Sequence, residues 1–423
     1  MTPSSRLAPI VALGFCLVAA AASAQPRFPA PGRAARGPRF SANVFGGWDA
    51  PLFDPSPGAS FRPQSQWFTG ANVNVTLRKS WRRYSMATQA NMSNRYYPKF
   101  TPSYAPSYGA AISFSSNYRG RWQWGLAQFA HYAPFTAASL FATALDSNGQ
   151  LLQLTSATDF QQSTIRQVDS NTTGTLSYAL SRRTSIGFTA LAGTLIPIDS
   201  PVARALRLNG SLRLSRALTR NLTGYLSYSV SQNRVSSQGT AAATNYTVSG
   251  FDFGIDFSRG LQLTRSTTLG FHTGLVNVPE TNGKAYQLTG SVSLDRAFRN
   301  GWNASIAALR DARFVQTYRN AVVFYGVSAS AAGRLAGSLG SIFSANYSSG
   351  TINAANAVGF NNTSASVMLR YDVKRTVGTF VQYSLFRSDV DASFLLPGQP
   401  AGRFGRHSIR GGLSFGLSPF SRP

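Results

Sequence analysis

The sequence predicts an all-β chain, a transmembrane antiparallel up-and-down β-barrel of about 18 strands, with 16–20 compatible with its spacing. Three observations carry this. Segments of about ten residues alternate apolar and polar side chains, which is the period of a strand with a different solvent on each face. Short turns bearing paired basic residues recur between those segments, as in Ser181-Arg182-Arg183-Thr184 and Asp372-Val373-Lys374-Arg375. The composition is low in charge, at 13% Asp, Glu, Lys and Arg, yet 43% hydrophobic, with 29 Phe, 17 Tyr and 6 Trp. Soluble domains carry about a quarter charged residues. Glu280 is the only glutamate, which leaves few strong helix formers.

The elements follow in chain order. Residues 1–24 read as a cleaved signal peptide. Met1 to Arg6 is a short basic start, Leu7 to Ala22 is apolar, and Ala22-Ser23-Ala24 is a small-x-small cleavage site. The apolar run is shorter than the roughly 20 residues a spanning helix needs. Cys16, the one cysteine, lies inside it, so the mature chain is expected to hold neither a disulfide nor a cysteine metal site. Residues 25–40, with Arg27, Arg33, Arg36 and Arg39 among prolines and alanines, read as a flexible basic periplasmic arm.

The barrel is expected over 41–418. Its strands fall near 41–49, 68–79, 83–94, 109–119, 121–132, 169–181, 184–194, 205–216, 221–232, 245–258, 265–276, 286–296, 302–313, 320–333, 337–348, 361–374, 377–388 and 406–418. Ala71, Val73, Val75 and Leu77 share a face opposite Asn72, Asn74, Thr76 and Arg78. Tyr286, Leu288, Gly290, Val292 and Leu294 likewise oppose Gln287, Thr289, Ser291 and Ser293. Between Tyr246 and Phe257 the apolar phase shifts, which predicts a bulge near Gly250. An even number of strands closes such a barrel, with short periplasmic turns and longer outer loops. The longest outer loop is 133–168, and residues 419–423 form a short tail.

The hairpin Leu176-Ser177-Tyr178-Ala179-Leu180-Ser181-Arg182-Arg183-Thr184-Ser185-Ile186-Gly187-Phe188 resembles units of bacterial porin-like outer-membrane families, with weaker copies at Leu222 to Tyr228 and Tyr371 to Tyr383. Some of those families are encoded beside exopolysaccharide secretion machinery, so the resemblance implies a channel or an export barrel. The layout also resembles general porins, whose third loop folds inward, although 133–168 lacks a Pro-Glu-Phe-Gly-Gly signature. Barrel-assembly substrates end in an amphipathic strand with a terminal aromatic. Here Ile409, Gly411, Leu413, Phe415 and Leu417 form the apolar face, and Phe415 is the expected assembly-signal aromatic.

No catalytic, cofactor or metal constellation is legible. His131, His272 and His407 lie on separate strands, His407 near the expected pore mouth within reach of Asp389 or Asp391. The glycines follow no phosphate-loop pattern, so the chain is read as a non-enzyme. The informative chemistry is charge, +26 from 40 basic and 14 acidic residues. Strand parity turns Arg78, Arg207, Arg213, Arg370 and Arg410 into the lumen, with Asp252 and Asp256 as acidic exceptions. A second set, Arg182, Arg183, Arg216, Arg220, Arg259, Arg265, Arg296, Arg299, Lys374 and Arg375, marks the periplasmic rim, where long basic side chains snorkel to the headgroups. The dispersed arginines lack the basic groove of a nucleic-acid binder. The reading is an outer-membrane channel for small hydrophilic solutes with anion preference. The alternatives are an exopolysaccharide-export barrel and a surface barrel without an open pore. Expected partners are outer-membrane lipid and lipopolysaccharide, the barrel-assembly machinery and, for export, polysaccharide-secretion proteins.

Overall fold

The computed structural model describes residues 37–51, 65–98, 104–116, 120–134, 144–145, 151–152, 166–198, 204–219, 222–236, 244–257, 261–264, 266–280, 283–298, 300–315, 320–352, 358–374, 376–390 and 402–417. They build a closed antiparallel barrel of eighteen strands, each hydrogen-bonded to its sequence neighbours and the first to the last. The strands are β1 (Gly37–Pro51), β2 (Gln66–Ser80), β3 (Tyr84–Tyr96), β4 (Tyr104–Ser116), β5 (Trp122–Pro134), β6 (Arg166–Ala179), β7 (Thr184–Pro197), β8 (Arg204–Ala217) and β9 (Leu222–Ser236). Then come β10 (Thr244–Phe257, resumed at Leu261–Thr264), β11 (Thr267–Glu280), β12 (Gly283–Ala297), β13 (Asn303–Val315), β14 (Asn320–Ala336), β15 (Leu339–Ile352), β16 (Val358–Lys374), β17 (Val377–Val390) and β18 (Gly402–Leu417). The signal and tail expectations fall outside the described residues. β1 begins at Gly37, inside the stretch read as an arm. Pro38 pairs with Leu77 of β2.

Alternation sorts the two faces. Val44, Val75, Leu126, Leu176, Phe188, Leu212, Leu226, Leu288, Val292, Ile306, Val367, Val381 and Leu413 form an outward apolar band. Aromatic rings flank it. At the short-turn end stand Tyr84 with Trp124 and Trp122 with Tyr178, ring centroids 6.1 Å and 4.4 Å apart. At the long-loop end stand Tyr96 with Tyr104 and Tyr108 with Tyr132, at 5.0 Å and 5.8 Å. Trp67 and Tyr286 continue that outer girdle, 72% and 69% exposed. An apolar band between two aromatic girdles is what a hydrocarbon layer with two headgroup boundaries selects. At about 3.3 Å per residue and a tilt near 40°, fourteen-residue strands rise roughly 35 Å, enough to cross it.

The turns at one end are tight. Gly337-Ser338 joins β14 to β15 in two residues, and Gly337 has φ 46°. A positive φ at that place suits the twist of a hairpin and favours glycine. Ser181 caps its own turn: its Oγ accepts from the amides of Arg183 at 3.2 Å and Thr184 at 3.0 Å.

β10 corrects one expectation. Its pairing with β9 runs unbroken from Phe257 with Leu222 to Thr244 with Val235, so there is no bulge at Gly250. The apolar phase shift has another cause: Val248 points inward and is buried there. The irregularity lies lower, between Gln262 and Thr264.

Two features interrupt the regular wall. The β12–β13 ladder runs from Ala297 with Asn303 to Gly290 with Arg310 and then stops, although both strands continue. Beyond it, Arg310 Nη2 donates to Gln287 Oε1 at 3.1 Å, and its guanidinium lies 5.1 Å from the Tyr325 ring. Ala312 packs on Val276 of β11 and Val323 of β14. The two hairpins therefore meet side chain against side chain where hydrogen bonds end. Second, between β5 and β6, Ala144–Leu145 pairs with Leu151–Leu152 and approaches β14, nine strands round the wall. This stretch of the long loop thus reaches the far side of the barrel.

The seam between β1 and β18 is long, pairing Phe40 with Leu417 through Pro51 with Arg406. It carries an ion pair on the inner face. Arg406 Nη2 lies 3.3 Å from Asp49 Oδ2, with both side chains at most 2% exposed. Breaking a buried pair by removing one partner costs about 3–5 kcal/mol, because the other charge is left in low dielectric.

Two outcomes follow. Val44 and Leu413 are register partners across the seam. Paired Cα atoms about 4.5–5.5 Å apart fit a disulfide, so V44C/L413C should oxidise to an intramolecular crosslink, read as a changed mobility on a reducing versus non-reducing gel. Absence of that crosslink would show another closing register. D49A should lower the temperature at which the barrel unfolds in a gel-shift melt by an amount matching roughly 3–5 kcal/mol, and D49A/R406L should recover most of it; an equal melt for D49A and the parent excludes a buried pair at the seam.

Candidate functional site

The inner wall is polar and built chiefly from hydroxyls and amides. Ser344 Oγ and Ser366 Oγ are 2.7 Å apart across β15 and β16, and Asn346 Nδ2 donates to Ser364 Oγ at 3.3 Å. Ser93 Oγ donates to Asn72 Oδ1 at 2.6 Å across β2 and β3. Such a wall suits water and neutral solutes. Three sectors of it carry groups of charged side chains.

The first sector straddles the seam. Phe45 of β1 and Phe68 of β2 are 3% and 2% exposed and meet edge to face at 6.1 Å. Both rings lie on glycine. A Cβ on Gly47 would come 2.6 Å from Phe68 Cζ, one on Gly70 would come 2.8 Å from Phe45 Cζ, and one on Gly412 would come 2.8 Å from Phe45 Cβ. These three glycines leave room for rings lying against the wall. Guanidiniums sit over the rings: Arg95 Cζ is 5.7 Å from the Phe45 centroid and 5.6 Å from that of Phe68, and Arg410 Cζ is 5.4 Å from Phe45. Arg410 also donates to Gln382 Oε1 from Nε at 3.0 Å and Nη2 at 2.7 Å. Arg95 hydrogen-bonds Tyr97, which packs on Phe68 with centroids 5.5 Å apart. Asp49 and Arg406 complete the group.

The second sector crosses β4 to β8. Ser107 Oγ lies 3.0 Å from His131 Nε2, and the register sets His131 opposite Asp169. Asp169 Oδ1 accepts from Asn171 Nδ2 at 3.0 Å, and the Arg207 charge acts on the carboxylate. A serine beside a histidine supplies a nucleophile and a base. The carboxylate that would complete a triad is bonded by Asn171 of its own strand. Among the described residues, no cluster of His, Cys, Asp or Glu fits a metal ion.

The third sector lies on β8 to β11. Arg213 Cζ is 3.8 Å from the Tyr225 centroid, and its Nε donates to Ser215 Oγ at 3.3 Å. Nearby, Ser227 Oγ donates to Asp252 Oδ2 at 3.5 Å. Asp252 fills space that a Cβ on Gly274 would need.

The residues singled out from the sequence distribute as follows. Arg78, Arg207, Arg213, Asp252 and Arg410 share the inner face with these sectors, opposite the exposed Val75, Leu206, Leu208, Leu212, Leu214, Phe251, Phe253, Ile409 and Leu413. Arg370 is at the short-turn mouth and not at mid-wall; its Nε is 2.8 Å from Asp372 Oδ1, with both side chains about half exposed. Asp256 pairs with Thr223 in the ladder. Of the rim set, Arg182, Arg183, Arg216 and Lys374 are exposed at the short-turn end, as is Arg296, which lies 4.9 Å from the Phe298 ring. Arg220, Arg259, Arg265, Arg299 and Arg375 lie outside the described residues. Phe415 pairs with Ala42 and Val377 near that end, on the outward face.

His407 is a correction. It is no pore-mouth group: its ring meets Trp48 edge to face at 5.4 Å and Tyr383 at 6.3 Å, within the outward aromatic girdle. Pleating decides this, because His407 shares parity with Ile409 and Leu413. Sequence reasoning missed Arg95, Arg406, Asp49, Phe45 and Phe68. Arg95 and Asp49 fall at or beyond the strand ends inferred from alternation. Extending β3 by two residues would have put Arg95 on the face of Asn91 and Ser93.

The sequence matches no protein-family model and no curated protein. Solved structures resemble it in shape. An iron transporter, FrpB of Neisseria meningitidis in its F5-1 variant, aligns with TM-score 0.47 and 9% identity over 90% of this chain and 82% of its own. The siderophore receptor PirA of Pseudomonas aeruginosa aligns with TM-score 0.44 and 9% identity over 90% and 80%. OccAB4 of Acinetobacter baumannii aligns with TM-score 0.40 and 10% identity over 90% and 99%.

Proposed function

We propose that this chain is an outer-membrane channel of a Gram-negative-type bacterium, exported with a cleaved signal peptide, that passes small hydrophilic solutes and prefers anions. The observation that carries the reading is a closed eighteen-strand wall with lipid-suited residues outside and hydroxyls, amides and arginines inside. Barrels of 16–18 strands leave an aqueous channel. Forty basic against fourteen acidic residues leave too few carboxylates to neutralise the arginines. A lumen lined by an arginine excess, with Arg78, Arg95, Arg207, Arg213 and Arg410 on its wall, would raise the local concentration of anions and lower that of cations.

The orientation follows from the same physics. The short-turn end faces the periplasm, where Arg182, Arg183, Arg216 and Arg296 anchor at the headgroups, and the longer connections face outward. Lipid and lipopolysaccharide cover the outward band, and Phe415 on the final strand serves the assembly machinery. A second reading rests on the resemblance of the Leu176 to Phe188 hairpin to porin-like families linked to exopolysaccharide secretion: the inner arginines would also suit an acidic glycan in transit.

Purified protein in planar bilayers should show stepwise conductance, and in a potassium chloride gradient its reversal potential should favour chloride. Absence of steps excludes the open channel, and potassium preference excludes the anion reading. Loss of surface glycan on gene deletion, with small-solute uptake unchanged, would establish the export reading in its place.

A further inference from the structure

The arginines of the inner wall are held in different ways. Arg370 stands at a mouth, half exposed beside Asp372. Arg406 is buried against Asp49. Arg95 and Arg410 are only partly buried, and both lean on Phe45. They come from strands at opposite sides of the seam, β3 and β18, and are brought together because only β1 and β2 lie between them. The register is Arg95 with Gly70, Gly70 with Phe45 and Phe45 with Gly412, two residues on from Arg410.

On the reading of the chain as an anion-preferring channel, we propose that Arg95 and Arg410 form its oxyanion station, a site that binds the carboxylate or phosphate group of a small solute in passage. Three features make this a built site. The guanidiniums flank one aromatic ring, whose face attracts and orients a cation. Gln382 takes both Nε and Nη2 of Arg410, which fixes the plane of that guanidinium. Tyr97, itself buried against Phe68, ties down Arg95. Planar guanidiniums held in fixed orientation recognise carboxylate and phosphate through paired N–H groups, whereas an ammonium acts as a point charge. The glycine floor at Gly47, Gly70 and Gly412 lets the rings lie close to the backbone. The station therefore sits against the wall.

The distinguishing prediction concerns geometry as well as charge. In planar bilayers under a potassium chloride gradient, R95A/R410A should lower the chloride-to-potassium permeability ratio by about twofold or more. Millimolar inorganic phosphate or acetate should reduce chloride current through the parent channel and leave the R95A/R410A current unchanged. R95K/R410K should keep the chloride preference and lose the block. Phosphate block without acetate block identifies phosphate-bearing solutes, and the reverse identifies carboxylates. R95Q/R410Q, which keeps size and hydrogen bonding, serves if the alanine variant fails to show the folded gel mobility. A neutralised variant with the parent's ratio and block overturns the station even if the parent prefers chloride, and a lysine variant that keeps the block overturns recognition by the fixed guanidinium plane. A parent channel with no chloride preference defeats the functional reading itself, which is a separate result.

Discussion

A strand edge in hydrocarbon has no water to take up its amides and carbonyls, and each unmade bond there costs several kcal/mol. The β1–β18 ladder removes that edge, and much of the inner wall depends on it. Closure brings Phe45, Asp49, Arg406 and Arg410 from the chain's two ends into one packed group. Where the ladder fails, between β12 and β13, side chains stand in: Arg310 reaches Gln287 and Ala312 packs on Val276.

The fold was legible because lipid and water are such different solvents. Ala71 to Arg78 and Tyr286 to Asp295 alternate strictly, since each position meets one or the other. The reading failed where an apolar residue sits on the inner face. Val248 points inward and is buried, so alternation lapsed there and mimicked a bulge. It also faltered at strand ends, where His407 continues the outward parity of Ile409 into the aromatic girdle.

The seam sector was illegible for a different reason. Arg95 and Arg410 are more than three hundred residues apart in sequence, and only the closing register sets both beside Phe45. Parity gives the face of a residue, never its neighbour across the circumference. Arg410 could thus be assigned to the inner face from β18 alone, while its relation to Gln382 and Phe45 needed the neighbouring strands.

The glycines under the seam rings have a consequence for how such a wall can change. At Gly47 the space a methyl group would need is taken by the Ile409 carbonyl and the Phe68 ring, and at Gly412 by the Val44 carbonyl and the Cα and Cβ of Phe45. Each such change would have to lift Phe45 or Phe68, and with it the guanidiniums resting on them. Bore and charge are mechanically coupled along this stripe. Substitution along it alters both at once, so neither property can drift there alone.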